Sequence, residues 1–202
     1  MLVAQAAVQD VPAVARLFAR AFVDDEVVEA ILPGTRDRPA RLARVFAADL
    51  RAGALATGAI DIIREQPDGP LLGAAAWEGP DGRGKFWRDL RELPNYVAAV
   101  GPAHLLQARR TLARLGQHRP TFPHWYLADI AAAPDAQGRG VGSALLKHRL
   151  AIIDGAGLPG YLQATTPDSE RLYQRHGFVS GQRLEIAHGY PVGMTRAAVG
   201  CC

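Results

Sequence analysis

Apolar positions at helical spacing dominate the N-terminal quarter of the chain. The pattern predicts an amphipathic helix over residues 8–31, with Asp10 suited to the N-cap and Pro12 to the first turn. A second amphipathic helix is predicted over about 38–55. The residues that define the two apolar faces are Val14, Leu17, Phe18, Phe22, Leu42, Val45, Phe46 and Leu50. Two helices therefore precede the first predicted strand.

From residue 59 the spacing of apolar positions changes from that of helices to that of strands. Residues 59–63 and 71–77 read as a hairpin, and a helical stretch over 86–117 follows, with expected interruptions near Pro94 and Gly101. The remaining predicted elements are a strand at 124–132, a helix at 141–154, a strand at 161–164, a helix at 169–175 and strands at 178–179, 183–187 and 192–196. This order predicts a mixed α/β (α+β) chain around one large sheet.

Composition limits the classes of protein that fit. Residues 1–202 suit a single domain with 49% hydrophobic residues, divided into helices and first strands at about 1–120 and a C-terminal core at about 121–198. The net charge of +3 is too weak to indicate nucleic acid but suits an anionic cofactor. No segment resembles a signal peptide or a membrane span, so we expect a cytoplasmic protein. For its assembly, a monomer and a homodimer are both open. Cys201 and Cys202 predict neither a disulfide nor a metal site.

A glycine-rich turn between a strand and a helix carries the clearest chemical signal. The run Gln137-Gly138-Arg139-Gly140-Val141-Gly142 has the form Q-x-x-G-x-G. Backbone N–H groups at the start of the following helix, together with the helix dipole, form a site for a phosphate. The spacing fits neither a P-loop nor a dinucleotide fingerprint.

At these residues the sequence resembles the GNAT superfamily of N-acetyltransferases. Its signature [Q/R]-x-x-G-x-[G/A] is matched at 137–142, and a second signature, Y-x-x-x-G-F, is matched at 173–178. The resemblance implies a mixed, mostly antiparallel sheet, with a central pair of parallel strands splayed to hold acetyl-CoA and helices on both faces. Residues 118–120, 125–128, 161–163, 172–173 and 194–196 further resemble the puromycin N-acetyltransferase branch.

The resemblance also implies roles for individual residues. Tyr173 matches the general acid that protonates the departing thiolate of coenzyme A. The positions that match the acetyl-CoA site are Ile130, Ala131, Ala132, Gln137, Gly138, Arg139, Gly140, Val141, Gly142, Ser143 and Ser169. In the puromycin branch the positions of Gln163 and Ser169 usually carry glutamate and asparagine. These departures predict a different amine.

The general base stays open from sequence. The candidates are Asp129, Tyr126, His124, Asp24, Asp25, Glu26 and a chain of waters. Strand alternation predicts that Asp129 points away from a cleft lined by Tyr126, Ala128 and Ile130. His148 is expected to pack half-buried and His176 to be solvated. The arginines at 109, 110, 114 and 119 are expected to form a solvated face.

The sequence therefore predicts an N-acetyltransferase that transfers acetyl from acetyl-CoA to an amine of a small molecule, by direct attack in a ternary complex and without a metal. Two alternatives remain: a protein or peptide N-acetyltransferase of the same fold, and an acyl-CoA-binding module without catalysis. Retention of Tyr173 argues against the binding module. A long helical stretch at 86–117 that narrows the cleft argues against a peptide substrate.

Overall fold

A computed structural model describes residues 1–66, 69–81, 85–184 and 191–199. Cys201 and Cys202 lie outside the described residues. The strands are β1 (Val3–Gln5), β2 (Ala59–Arg64), β3 (Leu71–Glu78), β4 (Trp125–Ala132), β5 (Gly160–Ala164), β6 (Val179–Arg183) and β7 (Val192–Arg196). The helices are α1 (Val11–Ala21), α2 (Glu26–Ile31), α3 (Arg38–Ala52), α4 (Ala54–Thr57), α5 (Lys85–Val100), α6 (Leu105–Gln117), α7 (Val141–Gly155) and α8 (Pro167–Gln174). Short 3₁₀ turns precede α1 and α7.

The strands form a seven-stranded sheet in the order β1-β2-β3-β4-β5-β7-β6. Every neighbouring pair is antiparallel except β4 and β5, which run parallel. The helix between β4 and β5 is α7, the crossover that a parallel pair requires. The predicted mixed sheet with one parallel pair and surrounding helices is confirmed.

The core lies between the sheet and its helices. Apolar side chains of α1, α3, β2, β3 and α7 form one buried cluster, which includes the ring of Phe18 packed edge-on against Phe46 at 5.6 Å between centroids. A buried ion pair fastens α7 to β2: Arg149 Nε donates to Asp61 Oδ2 at 2.9 Å. His148 Nε2 lies 3.8 Å from the same carboxylate, so this histidine packs beside a charged pair. The ion pair and the apolar cluster together hold α7, and the turn that precedes it, against the sheet.

The predicted helix over 8–31 was wrong in its length. A 3₁₀ turn covers Val8–Asp10, α1 ends at Ala21, and α2 begins anew at Glu26. The cause is Asp25, whose Oδ1 accepts hydrogen bonds from the N–H groups of two residues in the first turn of α2, at 2.9 and 3.0 Å. Asp10 does precede α1, but its side chain does not cap that helix.

Three other boundaries differ from the sequence prediction. Pro94 lies inside α5 without interrupting it, whereas the break near Gly101 is confirmed. The bidentate pair of Arg51 and Glu92 holds α5 against α3, which offsets the hydrogen bond that the proline removes. An edge strand, β1, was not predicted. The predicted strand at 183–187 extends largely outside the described residues, and β6 ends at Arg183.

Candidate active site

The parallel strands β4 and β5 separate in the middle of the sheet. Their register pairs are Trp125–Gly160, Tyr126–Tyr161 and Leu127–Leu162, and the pairing stops there although β4 continues to Ala132 and β5 to Ala164. Beyond Leu127 the backbone groups that face β5 have no ladder partner there. A cleft therefore opens between the carboxyl ends of the two parallel strands.

A β-bulge in β4 changes which side chains face this cleft. Ala76 of β3 pairs with Asp129 and Trp77 pairs with Leu127, so Ala128 is an extra residue on β4. The regular alternation is lost, and Asp129 lines the cleft together with Tyr126, Ala128 and Ile130. The prediction that Asp129 points away from the cleft was wrong for this reason.

The glycine turn leads from β4 into α7. Gly138 and Gly140 have φ values of 73° and 80°, a left-handed conformation that glycine adopts without steric cost. No side chain caps α7, and the first intrahelical bond runs from the Ala144 N–H to the Gly140 carbonyl at 3.0 Å. The N–H groups of Val141, Gly142 and Ser143 precede that bond and have no intrahelical acceptor. This helix end offers a row of donors to an anion.

Tyr173 is fixed by the way α8 begins and ends. Thr166 caps the helix in a capping box with Ser169, whose N–H donates to Thr166 Oγ1 at 3.2 Å. At the other end the Phe178 N–H donates to the Tyr173 carbonyl at 3.2 Å, and the Gly177 N–H donates to the Gln174 carbonyl at 3.0 Å. These two bonds, with a φ of 83° at Gly177, make a Schellman motif. The Y-x-x-x-G-F pattern thus holds the tyrosine in place.

The two signature segments lie against each other. A Cβ at Gly142 would lie 3.4 Å from Leu172 Cδ2, so the first turn of α7 contacts α8 one residue away from Tyr173. His176 Nε2 lies 3.2 Å from Ser143 Oγ, which corrects the expectation that this histidine is solvated. Partial burial lowers the pKa of His176, and nearby cations such as Lys147 lower it further. The imidazole is therefore neutral near neutral pH.

One cleft of about 1290 Å³ runs from α8 across the bulge of β4 to α2, α3, α5 and α6. Of the residues predicted from sequence, Tyr173, Ile130 and Ser169 line it, while the turn at 137–143 lies beside it along α8. The side chain of Ala131 is buried. The residues that sequence reasoning missed are Asp49, Glu78 and Asp89, which bring further carboxylates into the cleft.

Carboxylates surround Asp129 closely enough to change its proton affinity. Burial raises the pKa of Asp129 to about 8, and the charges of Asp49, Glu78 and Asp25 raise it, whereas Arg119 opposes the shift. No hydrogen bond or ion pair to this carboxyl group occurs among the residues that the structure describes. A group poised near neutral pH in a cleft is suited to exchange a proton.

The phenols of the cleft stay protonated. Burial raises the pKa of Tyr173, with smaller contributions from Asp129 and Tyr126, so the hydroxyl can donate but does not ionise at neutral pH. Tyr126 lies under Arg119, whose Cζ is 3.5 Å from the ring centroid. Arg119 also donates to Glu78 at 3.0 Å and is therefore not part of the solvated arginine face that the sequence predicted.

The other base candidates are less suited to that role. Asp25 Oδ1 caps α2 and its Oδ2 accepts the Thr165 hydroxyl at 2.9 Å, so both oxygens are occupied. Asp24 lines the cleft, while Glu26 and His124 do not. His124 Nδ1 lies 2.7 Å from the Phe122 carbonyl, outside the cleft. Asp24 is exposed to solvent, whereas Asp129 is partly buried on β4 where that strand separates from β5, so Asp129 is the better placed of the two to accept a proton.

The architecture and the comparisons define the class of protein. Residues 96–180 match the family model described as acetyltransferase (GNAT) domain. The sheet with its single parallel pair is the GNAT fold, and the chain is an acetyl-CoA-dependent acyltransferase. The described residues contain no group of His, Cys, Asp or Glu side chains placed to hold a metal ion and no helix able to cross a membrane.

Solved structures extend the comparison to nearly the whole chain. A Corynebacterium glutamicum protein described as histone acetyltransferase HPA2 and related acetyltransferase is 28% identical, with a TM-score of 0.77 over 97% of this chain and 95% of that one. Arylalkylamine N-acetyltransferase 2 from Aedes aegypti shares the fold at 11% identity and a TM-score of 0.63, over 98% and 99%. The ribosomal-protein-S18-alanine N-acetyltransferase of Escherichia coli does so at 15% and 0.58, over 100% and 96%.

Proposed function

We propose that this chain transfers the acetyl group of acetyl-CoA to an amine of a small molecule in the cleft where β4 and β5 separate. The observation that carries the proposal is the placement of Tyr173 and Asp129 in one cleft beside a helix end rich in backbone donors. An acid and a base with access to the same space are what direct attack of an amine on a thioester needs. Within the described residues there is no cysteine to form an acyl-enzyme.

The residues around the splayed strands fit acetyl-CoA. Backbone groups of residues 130–132, beyond the last β4–β5 pair, are suited to the amides of the pantetheine arm. The N–H groups of Gly138 and of residues 140–143, with Gln137, are suited to the pyrophosphate, since α7 has no side-chain cap, whereas the Arg139 N–H donates to the Ala136 carbonyl at 3.4 Å. The Ser169 hydroxyl is engaged in the capping box of α8, so this residue contributes to acetyl-CoA binding by shaping the wall of the cleft. Acetyl-CoA would supply the activated acetyl group.

The proton path uses two groups of the cleft. An ammonium loses one proton to the Asp129 carboxylate, and the neutral nitrogen attacks the acetyl carbonyl carbon. The new C–N bond forms as the C–S bond breaks, and the Tyr173 hydroxyl donates its proton to the sulfur. The second N–H proton returns to the phenolate through water, and the proton on Asp129 leaves to solvent. Burial keeps Tyr173 protonated until the thiolate forms.

Helices α5 and α6 form a roof over the cleft, and this roof favours a small molecule over a peptide. Leu105, Leu112 and Leu115 of α6 line the cleft, as do Leu93 and Tyr96 of α5. These two helices narrow the cleft, which argues against a peptide. The names of the fold neighbours include both an arylalkylamine enzyme and a ribosomal-protein enzyme, so they do not decide between a small molecule and a protein. The preference for a small molecule therefore rests on the roof of α5 and α6. Loss of an acid–base pair would be expected of a binding module, and this chain keeps both groups.

Gly140→Asp tests the pyrophosphate site. A Cβ at Gly140 meets nothing within 4 Å, so the cost of the side chain is the strain of a φ of 80°, and its carboxylate would repel a phosphate at the α7 N-terminus. We expect acetyl-CoA affinity, measured by calorimetry, to fall at least about 100-fold. Gly157→Asp is the matched control, since Gly157 also has a positive φ of 62° with open space around it, beyond the other end of α7. Equal affinity in the two variants would contradict the site.

Gln163 has a positioning role that a glutamate could not fill. Its Nε2 donates to the Leu115 carbonyl of α6 at 2.8 Å and to the Tyr161 hydroxyl at 3.3 Å. This amide holds the end of the roof over β5, and a carboxylate has no proton to donate there. We infer that the chain has diverged from the puromycin branch at this contact and acetylates puromycin poorly.

Gln163→Glu tests this role through stability as well as activity. The variant leaves the Leu115 carbonyl facing a carboxylate, so we expect the free energy of unfolding to fall by about 1–3 kcal/mol. Gln117→Glu, at an exposed position on the same helix, should unfold like the wild type. Puromycin turnover by the wild type should be at least about 100-fold slower, in kcat/KM, than turnover of its best amine. Rapid puromycin turnover, or an unchanged Tm, would contradict the inference.

A further inference from the structure

His176 contacts the first turn of α7, the helix end that is suited to the pyrophosphate of coenzyme A. Its Nε2 lies 3.2 Å from Ser143 Oγ, a distance at which the two atoms share a hydrogen bond. Ser143 is the third residue of α7, and its own N–H is one of the donors without an intrahelical acceptor. An imidazole and a row of anion-binding donors therefore meet at the same residue.

The main chain of His176 is held on both sides. Its N–H donates to the Tyr173 carbonyl at 2.9 Å, and its carbonyl accepts a hydrogen bond from Arg196 Nε at 3.1 Å. A Cβ at Gly177 would lie 3.3 Å from that same Arg196 Nε, so the next residue leaves little room for the chain to shift. The imidazole therefore starts from a fixed point beside α7.

The surroundings of the imidazole oppose its protonation. Partial burial lowers the pKa of His176, and Lys147 of α7, Arg175 at the end of α8 and Arg196 of β7 lower it further. Asp154 of α7 offsets part of one of these charges, because Arg196 Nη2 donates to Asp154 Oδ2 at 2.8 Å. Cations that repel a further positive charge attract an anion, so the same surroundings favour a phosphate.

A pyrophosphate at the start of α7 would reverse the preference of His176. Negative charge near Ser143 favours the imidazolium, which donates from Nε2 to Ser143 Oγ and leaves the Ser143 hydroxyl free to donate to a phosphate oxygen. A neutral imidazole with an unprotonated Nε2 accepts the hydroxyl proton instead and withholds it from the anion. Protonation of His176 therefore adds a positive charge and frees a hydrogen-bond donor at the same place.

We propose that His176 is a binding residue for the pyrophosphate of coenzyme A, which takes up one proton from solvent on binding and acts through the Ser143 hydroxyl. The inference rests on the proposed function, because that function places the pyrophosphate at the start of α7. It goes further by making the affinity for acetyl-CoA depend on pH. The affinity is highest at a pH where the complex holds the proton, and it falls as the pH rises through the pKa of His176 in the complex.

Calorimetry with 3′-dephospho-coenzyme A tests the proton uptake. This ligand keeps the pyrophosphate but lacks the 3′-phosphate monoester, whose own pKa of about 6 would obscure the result. In two buffers of different ionisation enthalpy at about pH 6.5, we expect the wild type to take up about half a proton more per ligand than His176→Gln. Between about pH 5.5 and pH 8, the Kd of the wild type should rise about tenfold more than that of the variant.

His176→Gln and His104→Gln form a matched pair for this measurement. The glutamine amide still donates to Ser143 Oγ but does not titrate, so His176→Gln should lose the part of the pH dependence that belongs to the imidazole. His104 is exposed at the start of α6, and His104→Gln should keep the pH dependence of the wild type. A wild type that matches His176→Gln in proton uptake and in Kd at each pH would overturn the inference.

The NMR signal of the His176 Cε1–H reports the proton directly and is assigned by its loss in His176→Gln. We expect its titration to move to higher pH when 3′-dephospho-coenzyme A is added to the wild type. In Ser143→Ala the movement should be smaller, because the hydroxyl that links the imidazole to the pyrophosphate is missing. No movement in the wild type, or an equal movement in Ser143→Ala, would overturn the inference.

Gly140→Asp separates this inference from the proposed function. If 3′-dephospho-coenzyme A binds Gly140→Asp as tightly as Gly157→Asp, the pyrophosphate does not lie at the start of α7, and the proposed site fails together with the inference. If Gly140→Asp loses affinity while the wild type and His176→Gln share one pH dependence, the proposed site stands and the inference about His176 alone fails.

Discussion

Tyr173→Phe is expected to lower kcat by about 10²–10⁴ with little change in the KM for acetyl-CoA, because the variant removes the proton that the leaving thiolate takes. The substitution deletes only a hydroxyl, and the ring stays packed against Phe178 at 6.1 Å between centroids. The Schellman motif uses the backbone of Tyr173, so the helix end survives. Steady-state kinetics with thiol detection measures the effect.

Tyr161→Phe is the matched control for that measurement. Its hydroxyl accepts a hydrogen bond from Gln163 at 3.3 Å and does not line the cleft, and Gln163 keeps its stronger contact with Leu115. We expect its kcat to stay within about threefold of the wild type. A Tyr173→Phe enzyme that is as fast as this control would show that water supplies the proton.

Asp129→Asn is expected to change activity and stability in opposite directions. The amide cannot accept the proton of the ammonium, so kcat/KM should fall about 10²–10³-fold at pH 8. The same change removes a carboxyl group that the fold holds at an unfavourable pKa of about 8. We expect the free energy of unfolding to rise by about 1–3 kcal/mol at that pH. Chemical denaturation, with Glu29→Gln as the control, measures the second effect.

The raised pKa of Asp129 determines how the free energy of unfolding and kcat/KM each change with pH. The folded-state pKa of Asp129 lies above its ordinary value of 3.8, so the folded state binds the proton more tightly than the unfolded state. Stability from this group is therefore greatest below about pH 4 and is lost as the pH rises towards 8. The ionised form of Asp129 is the base, so kcat/KM should rise with pH and level off above an apparent pKa near 8. Asp129→Asn should abolish this pH dependence. A bound ammonium lowers the pKa of Asp129, so the apparent pKa in the pH profile of kcat should be lower than that in the profile of kcat/KM.

The fold could be predicted from sequence where a local pattern determines the geometry. The strand, turn and helix at 125–155 were predictable from an apolar run followed by glycines, and the end of α8 was predictable from Gly177, whereas its start at Pro167 after the Thr166 cap was not predicted. These features depend on neighbours in sequence. Period and turn chemistry therefore predicted β4, α7 and β5, whereas the parallel pairing of the two strands was implied by the resemblance to the GNAT superfamily.

The features that the sequence did not reveal depend on contacts across the fold. The bulge at Ala128 exists because β4 carries one more residue than β3 between two register pairs, and nothing local to β4 marks it. Pro94 stays helical because α3 holds α5 from the side. Asp49 enters the cleft because α3 packs against α1 and α5, where its carboxylate accepts the Tyr96 hydroxyl, so its place in the cleft was not predictable from helix period alone.

The central claim is that an amine attacks acetyl-CoA directly in the cleft between β4 and β5. Initial rates measured over a grid of acetyl-CoA and amine concentrations, with the best amine from a screen by thiol release and with mass spectrometry of the products, test it most directly. The account predicts intersecting lines, one acetylated amine for each thiol released, and loss of both in Gly140→Asp. Parallel lines with an acetylated enzyme, or thiol release without acetylated amine, would contradict it.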